Sequence, residues 1–288
     1  MIALSSPIAG AIPRASALPL SLAPASDPDS GPLDYLSASR LKCWQECRLK
    51  FFFRYVERIP SSSSPALFVG KAVHHVLQQW NLARWRGQAA DTAAMEPHFL
   101  DYWETLSRDE SIDCIDWKGK EGEHREKAWG MLEHYLRHTP IPLEEKPEAV
   151  EVIVECDLAS YGHDLPPLRG VIDLVRAGGC IVDFKTSART PDEELACLLH
   201  ETQLGTYALL YREATGHEES GFELQFLIKT KQPALVVTSL SPVTPDQMRS
   251  LFRLMESLVR GVAAEDFIAS PGLQCSYCDY QTQCLSRH

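Results

Sequence analysis

Two apolar, β-branched runs, Leu168 to Val175 and Cys180 to Thr186, are separated only by Arg176-Ala-Gly-Gly179. A Gly-Gly pair tolerates the positive φ values that a tight reversal needs, so the runs are read as the arms of a β-hairpin. The turn centres near residue 178, which is also the mean of 173 and 183, so Asp173 and Asp183 are expected side by side on adjoining strands. Strand alternation adds Lys185 to the Asp183 face and sends Cys180, Val182 and Phe184 to the opposite, core-seeking face. Facing carboxylates repel unless a cation sits between them, so this hairpin restricts both the fold and its use.

The rest of the chain arranges itself around that hairpin. Residues 1 to about 32 are rich in Ala, Pro, Ser and Leu and are read as a flexible leader. The leader lacks a basic start, and Pro7, Pro13, Arg14 and Pro19 interrupt it, which argues against a signal peptide. A short helix capped by Ser37 or Ser39 is expected next. Pro60 to Pro65 is read as a loop, and a helix from Gly70 to Arg86 follows, with Val73, Val76, Leu77 and Trp80 at helical spacing. Residues of about 90 to 140 read as a polar helical insertion anchored by Trp103, Trp117 and Trp129.

From residue 149 the texture changes. Ala149 to Cys156, the two hairpin arms, Phe222 to Lys229 and Leu235 to Leu240 are predicted strands. A helix over Glu193 to Thr215 stops at Gly216, and Thr244-Pro-Asp-Gln247 opens a last helix with a capping box. A helix between strands requires a crossover, so the expected fold is α/β, a mixed sheet flanked by helices. Residues 33–288 are read as a single domain with a cysteine-rich tail over 270–288.

Composition excludes several classes. With 288 residues and 44% apolar content the chain can bury a core of its own, and no stretch approaches a membrane span. A net charge of −11 opposes coating of nucleic acid by bulk electrostatics, although Arg40 to Arg58 carries six basic residues against Glu46 and Glu57. The nine cysteines are odd in number and unevenly spaced, as in reduced thiols of a cytoplasmic protein rather than a disulfide framework.

Paired carboxylates with a neighbouring ammonium suit Mg²⁺ or Mn²⁺ bound through oxygen. Such an ion polarises a phosphodiester and lowers the pKa of a water, while the lysine positions that water or meets developing charge. A chemically idle surface ladder of Asp, Asp and Lys is the alternative. Gly170-Val-Ile-Asp173 followed by Val182-Asp183-Phe-Lys185-Thr-Ser187 resembles two motifs of the PD-(D/E)XK nuclease superfamily, and more narrowly its RecB-type exonuclease branch. Leu36-Ser-x-Ser-Arg-Leu41 with Cys47-x-x-x-Phe51, Gly70-Lys-Ala-Val-His74 and Gln203-Leu-Gly-Thr-Tyr207 resemble further motifs of that branch, in its order. Arg48 stands where the family often has proline after the first cysteine.

The resemblance implies a restriction-endonuclease-like core, with His74, Asp173, Asp183 and the Phe184 backbone carbonyl as metal ligands and Lys185 as the catalytic lysine. His75 leaves the histidine register open, and Glu155 is a further acidic candidate from the neighbouring strand. Gln203 and Tyr207, one helical turn apart, share a face that would touch DNA or the site together; an amphipathic helix with a buried tyrosine is the alternative. Arg40, within the basic segment, is an auxiliary DNA-binding candidate.

Cys275-x2-Cys278-x5-Cys284 lies in a short tail, and three thiolates so close suggest a structural metal or cluster with a fourth ligand from elsewhere. AddB-type and CRISPR-associated adaptation nucleases hold a [4Fe-4S] cluster with one N-terminal and three C-terminal cysteines. By resemblance Cys47 is the fourth ligand and Cys43 the runner-up; a four-cysteine Zn²⁺ site is the alternative. Cys114, Cys156, Cys180 and Cys197 read as small core residues.

The expected activity is metal-dependent hydrolysis of DNA, with single strands or free ends favoured by resemblance. No Walker A pattern is present, so unwinding would come from a separate helicase or recombination or repair subunit. The competing expectation is a non-catalytic DNA-binding or assembly subunit that keeps the fold.

Overall fold

The computed structural model describes residues 31–61, 63–88, 91–108 and 115–287; most of the expected leader and Cys114 lie outside them. Five strands, β1 (Ala149–Cys156), β2 (Leu168–Val175), β3 (Cys180–Ser187), β4 (Gly221–Ile228) and β5 (Ala234–Leu240), form one sheet in chain order. Neighbours are antiparallel except β3 and β4, which are parallel and joined by the crossover helix α6 (Glu193–Thr215). The sheet is mixed and flanked by helices, as expected.

Local chemistry accounts for the boundaries. At the β2–β3 turn Gly178 and Gly179 have φ of 84° and 79°, a region that costs a Cβ-bearing residue strain. A Cβ on Gly179 would also press on the Tyr211 hydroxyl. The Asp192 side chain caps α6 by accepting from Leu195 N, and Gly216 ends it with φ 72°. The final long helix, α7 (Pro245–Ala263), opens with the Thr244/Gln247 capping box.

Helices cover both faces of the sheet. The short α1 (Ala38–Glu46), α6 and α7 share one apolar cluster with Ile172, Val175, Ile181 and Leu224. On the other face lie α3 (Pro65–Trp85), α4 (Thr92–Ser107) and α5 (Glu121–His138), with α2 (Arg48–Phe51) following directly on α1. Residues of α3, α4 and α5 form one apolar cluster with Leu174, Val182, Phe184 and Leu227. The helices read as an insertion are therefore part of the layer that covers the sheet, with Trp103 buried among Phe68, Phe99 and Trp117. The helix α3 starts earlier than expected. Ser64 accepts from Leu67 N as the cap, and Pro65 occupies the first turn, where no N–H is missed.

The tail ends in α8 (Gln281–Leu285) and docks through Tyr280, which is 1% exposed, packs with Leu49 and Phe53, and donates to the Ile59 carbonyl at 3.1 Å. Among the described residues no helix is long and apolar enough to cross a membrane.

Candidate active site

The observed registers put Glu151, Asp173 and Asp183 on a single rung of β1, β2 and β3. Between β1 and β2 pairing flanks this rung at Val150↔Leu174 and Val152↔Ile172 and skips the rung itself; between β2 and β3 it ends at Leu174↔Val182, one step short. In place of a backbone acceptor, Asp173 Oδ2 takes a hydrogen bond from the Phe184 N–H at 3.0 Å. The strands thus part where the carboxylates stand, and the turn geometry that the Gly-Gly pair imposes sets which residues meet there. Val182 and Phe184 point to the other face and anchor β3 in the core.

Asp183 is 1% exposed. Gln203 on α6 donates to its Oδ1 at 2.9 Å, donates also to the Tyr207 hydroxyl at 2.8 Å, and accepts from Lys185 Nζ at 2.8 Å. Lys185 Nζ also lies 2.7 Å from Asp183 Oδ2, as an ion pair that is not aligned as a hydrogen bond. The buried Oδ2 therefore has no hydrogen-bond partner. Burial raises the Asp183 carboxyl above its usual range; Lys185 opposes this and Asp173 adds to it. Tyr207 is almost wholly buried, and burial followed by the two aspartates pushes its phenol well above the ordinary value. It braces Gln203 from within.

His74 on α3 brings Nδ1 to 3.4 Å from Asp173 Oδ2. His75 turns away and stacks on Tyr102 with ring centroids 3.8 Å apart, and burial holds its imidazole down to about 4. The choice between adjacent histidines is thereby settled in position: His74 faces the carboxylates.

Sequence reasoning missed Glu151. One carboxylate oxygen of Glu151, one of Asp173 and a ring nitrogen of His74 lie within 4.8 Å of one another. Burial, then Asp173 and Asp183, pushes its carboxyl up to about 8. Its φ of 47° lies in the left-handed region, rare for a residue with a side chain and typical of strained positions at functional sites. Glu155, the acidic candidate from this strand, sits instead on the surface in an ion pair with Arg169. A second residue absent from the sequence reading is His200, one turn before Gln203. Burial, then Lys185, brings its imidazole down to about 4.

Arg40 is a correction. It is 1% exposed, and its guanidinium donates to the carbonyls of Gly31, Pro32 and Tyr35 and stacks on Tyr35. It ties down the segment before α1 and is not presented to a substrate. Within the basic segment Arg48 pairs with Asp266 and Lys50 with Glu46, while Lys42, Arg54 and Arg58 lie on the surface.

The donor set suits a hard divalent cation: oxygen ligands dominate, one imidazole joins them, and a buried carboxylate oxygen is left without a hydrogen bond. In a separate apolar cluster Cys47, Cys278 and Cys284 border Leu49, Phe53 and Tyr280, and Cys275 is exposed nearby in sequence. Ser270 N donates to Cys47 Sγ at 3.4 Å. These thiols share one corner, but among the described residues only His74, Glu151 and Asp173 form a three-residue set with ligand atoms within 4.8 Å. Cys43, the runner-up, is buried in the main core, where burial pushes its thiol up to about 12.

No curated protein matches the sequence. Among solved structures, a protein of Eubacterium rectale described as a candidate exonuclease aligns with 16% identity and a TM-score of 0.62, covering 91% of this chain and 93% of its own. That likeness bears on the fold. The structure of SSO0001 aligns over 85% of this chain and 93% of its own at 15% identity with a TM-score of 0.35, too low to weigh. The family comparison is decisive: the sequence matches the PD-(D/E)XK nuclease superfamily over residues 35–285. On this match, which spans nearly all of the described chain, the protein belongs to the PD-(D/E)XK nuclease superfamily.

Proposed function

We propose that the protein is a metal-dependent deoxyribonuclease of the RecB-like exonuclease type, in which residues 33–288 act as one nuclease domain behind a leader. The observation that carries this reading is the placing of His74 against Asp173 and of Lys185 against Asp183 on neighbouring strands, with a buried Asp183 oxygen that has no hydrogen bond among the described residues. His74, Asp173, Asp183 and the Phe184 carbonyl would hold Mg²⁺ or Mn²⁺. When bound, the ion supplies Lewis acidity at the phosphodiester and a lowered pKa for a water.

The chain's own residues do the rest. The Phe184 N–H fixes Asp173, and Gln203 holds Asp183 and Lys185 in one plane of contact, itself braced by Tyr207. Lys185 Nζ orients the attacking water and meets negative charge as it grows on the phosphorus oxygens. The surface cations Lys42, Arg54 and Arg58 offer the DNA backbone a local attraction that the net charge of −11 does not. Single strands or free ends are the favoured substrates, with unwinding left to a separate helicase or recombination or repair subunit. The reduced thiols fit a cytoplasmic setting.

The shared corner of Cys47, Cys278 and Cys284 supports a [4Fe-4S] cluster, or Zn²⁺, bound by these three and Cys275. Such a site would staple α2 to the tail across more than 200 residues of chain.

The test is cleavage of end-labelled single- and double-stranded DNA by anaerobically purified protein in Mg²⁺ or Mn²⁺, with Lys185→Ala in parallel. Metal-dependent cutting that disappears in the variant, with DNA binding retained, is the expected result. Equal inactivity of both proteins would overturn catalysis and favour a non-catalytic DNA-binding or assembly subunit.

A further inference from the structure

We infer that Glu151 is an additional carboxylate ligand at the divalent-cation centre, so that the protein binds its ion before any nucleic acid arrives. The inference rests on the nuclease reading above and concerns a residue outside the motifs that support it.

Three observations lead there. Glu151, Asp173 and Asp183 occupy one rung of three adjacent strands; the β1–β2 ladder skips that rung and the β2–β3 ladder ends one step short of it. The Glu151 carboxylate comes within 4.8 Å of ligand atoms of both His74 and Asp173, which faces of the sheet alone would not require. Asp183, wholly buried beside this group, keeps an oxygen with no hydrogen-bond donor. Three carboxylates here face one ammonium, that of Lys185, and the charges acting on Glu151 are those of Asp173 and Asp183. Ionising all three carboxylates together in so buried a site is costly unless a divalent cation joins them.

Glu155 is the informative contrast. It lies on the same strand four residues on, but it is exposed and spent on Arg169. Glu151 has no such partner to explain its position. Two carboxylates and an imidazole make a weak site that a substrate phosphate would have to complete; a third carboxylate lets the protein complete more of the coordination itself.

The experiment is Mn²⁺ binding to substrate-free protein, read by titration calorimetry and by electron paramagnetic resonance of free Mn²⁺, with the Mn²⁺-induced rise in melting temperature alongside. Glu151→Gln removes one charge and keeps the shape; Glu151→Ala is run beside it in case either variant does not fold. Each is expected to weaken Mn²⁺ binding at least tenfold and to shrink the thermal shift. Glu155→Gln should bind as the wild type does, and Asp173→Asn should not bind. If both Glu151 variants bind Mn²⁺ like the wild type while Asp173→Asn does not, Glu151 is not a ligand and the nuclease reading survives. If the wild type itself binds no Mn²⁺ without DNA, preloading is wrong, and the cleavage assay alone judges the nuclease.

Discussion

Gln203 donates to Asp183 Oδ1 at 2.9 Å from a helix that lies across the sheet, and it does so while its own carbonyl oxygen accepts from Lys185 at 2.8 Å. One amide thereby anchors both members of an ion pair, in which Lys185 Nζ lies 2.7 Å from Asp183 Oδ2.

Gln203→Ala should release the Asp183 carboxylate and the Lys185 ammonium from their shared anchor. We expect kcat to fall about a hundredfold, the scale of a small misplacement of a reacting group, with KM little changed. Tyr207→Phe removes only the brace behind Gln203 and should lose less. Steady-state cleavage kinetics of the two variants check the order; a larger loss for Tyr207→Phe would contradict this arrangement.

The pH dependence of stability carries a signature of His200. Its imidazole is held down to about 4 in the fold, against 6.5 when free. Above pH 6.5 it is neutral in both states and its contribution to stability is complete. As pH falls from 6.5 to about 4 the unfolded chain takes up a proton that the fold refuses, so stability declines over that window. Melting temperatures of His200→Gln between pH 4 and 7 should fall less steeply than those of the wild type. Parallel slopes would remove His200 as the cause.

Cys47 and Cys43 are one helical turn apart and should differ sharply. Cys47→Ser is expected to strip iron, or zinc, from anaerobically purified protein, as measured by elemental analysis and visible absorption. Cys43→Ser should keep the metal and lose about 1–3 kcal/mol of stability, because it puts a hydroxyl into an apolar core. Loss of metal in Cys43→Ser with full content in Cys47→Ser would reverse the assignment.

On α7, Gly261 lies directly against the ring of Trp44 on α1, and a Cβ there would overlap it. Alanine gains about 1 kcal/mol of helix propensity over glycine, whereas overpacking a buried site costs about 1–3 kcal/mol. The overlap with a tryptophan that is 3% exposed should win. Gly261→Ala is therefore predicted to unfold at lower denaturant concentration than the wild type, and an unchanged or higher midpoint would show that α1 and α7 can slide apart.

How much of this could be read from the residues alone differs from element to element. Strand alternation and the Gly-Gly turn carried enough information to find β1, β2 and β3 within a residue and to bring Asp173 and Asp183 to one rung, because that register depends on four turn residues. The Glu151 register was not legible in the same way. It depends on how β1 and β2 are joined through the longer connection 157–167, and alternation offers Glu151 and Glu155 equally. The start of α3 was hidden by Pro65, which breaks a helix in its interior but suits its first turn. Arg40 misled because a basic residue in a basic segment gives no sign, in sequence, that three carbonyls will surround it.

The docking of Tyr280 under Ile59 joins residues 221 positions apart, and the bond from Ser270 to Cys47 joins residues 223 apart. On the ribosome, Leu49 of α2 and Phe53 must therefore wait, uncovered, until the segment around Ser270 and Tyr280 has been made. Contacts of such separation are late and slow to form. A nascent chain of this protein keeps that corner open until residues 270–280 have been made.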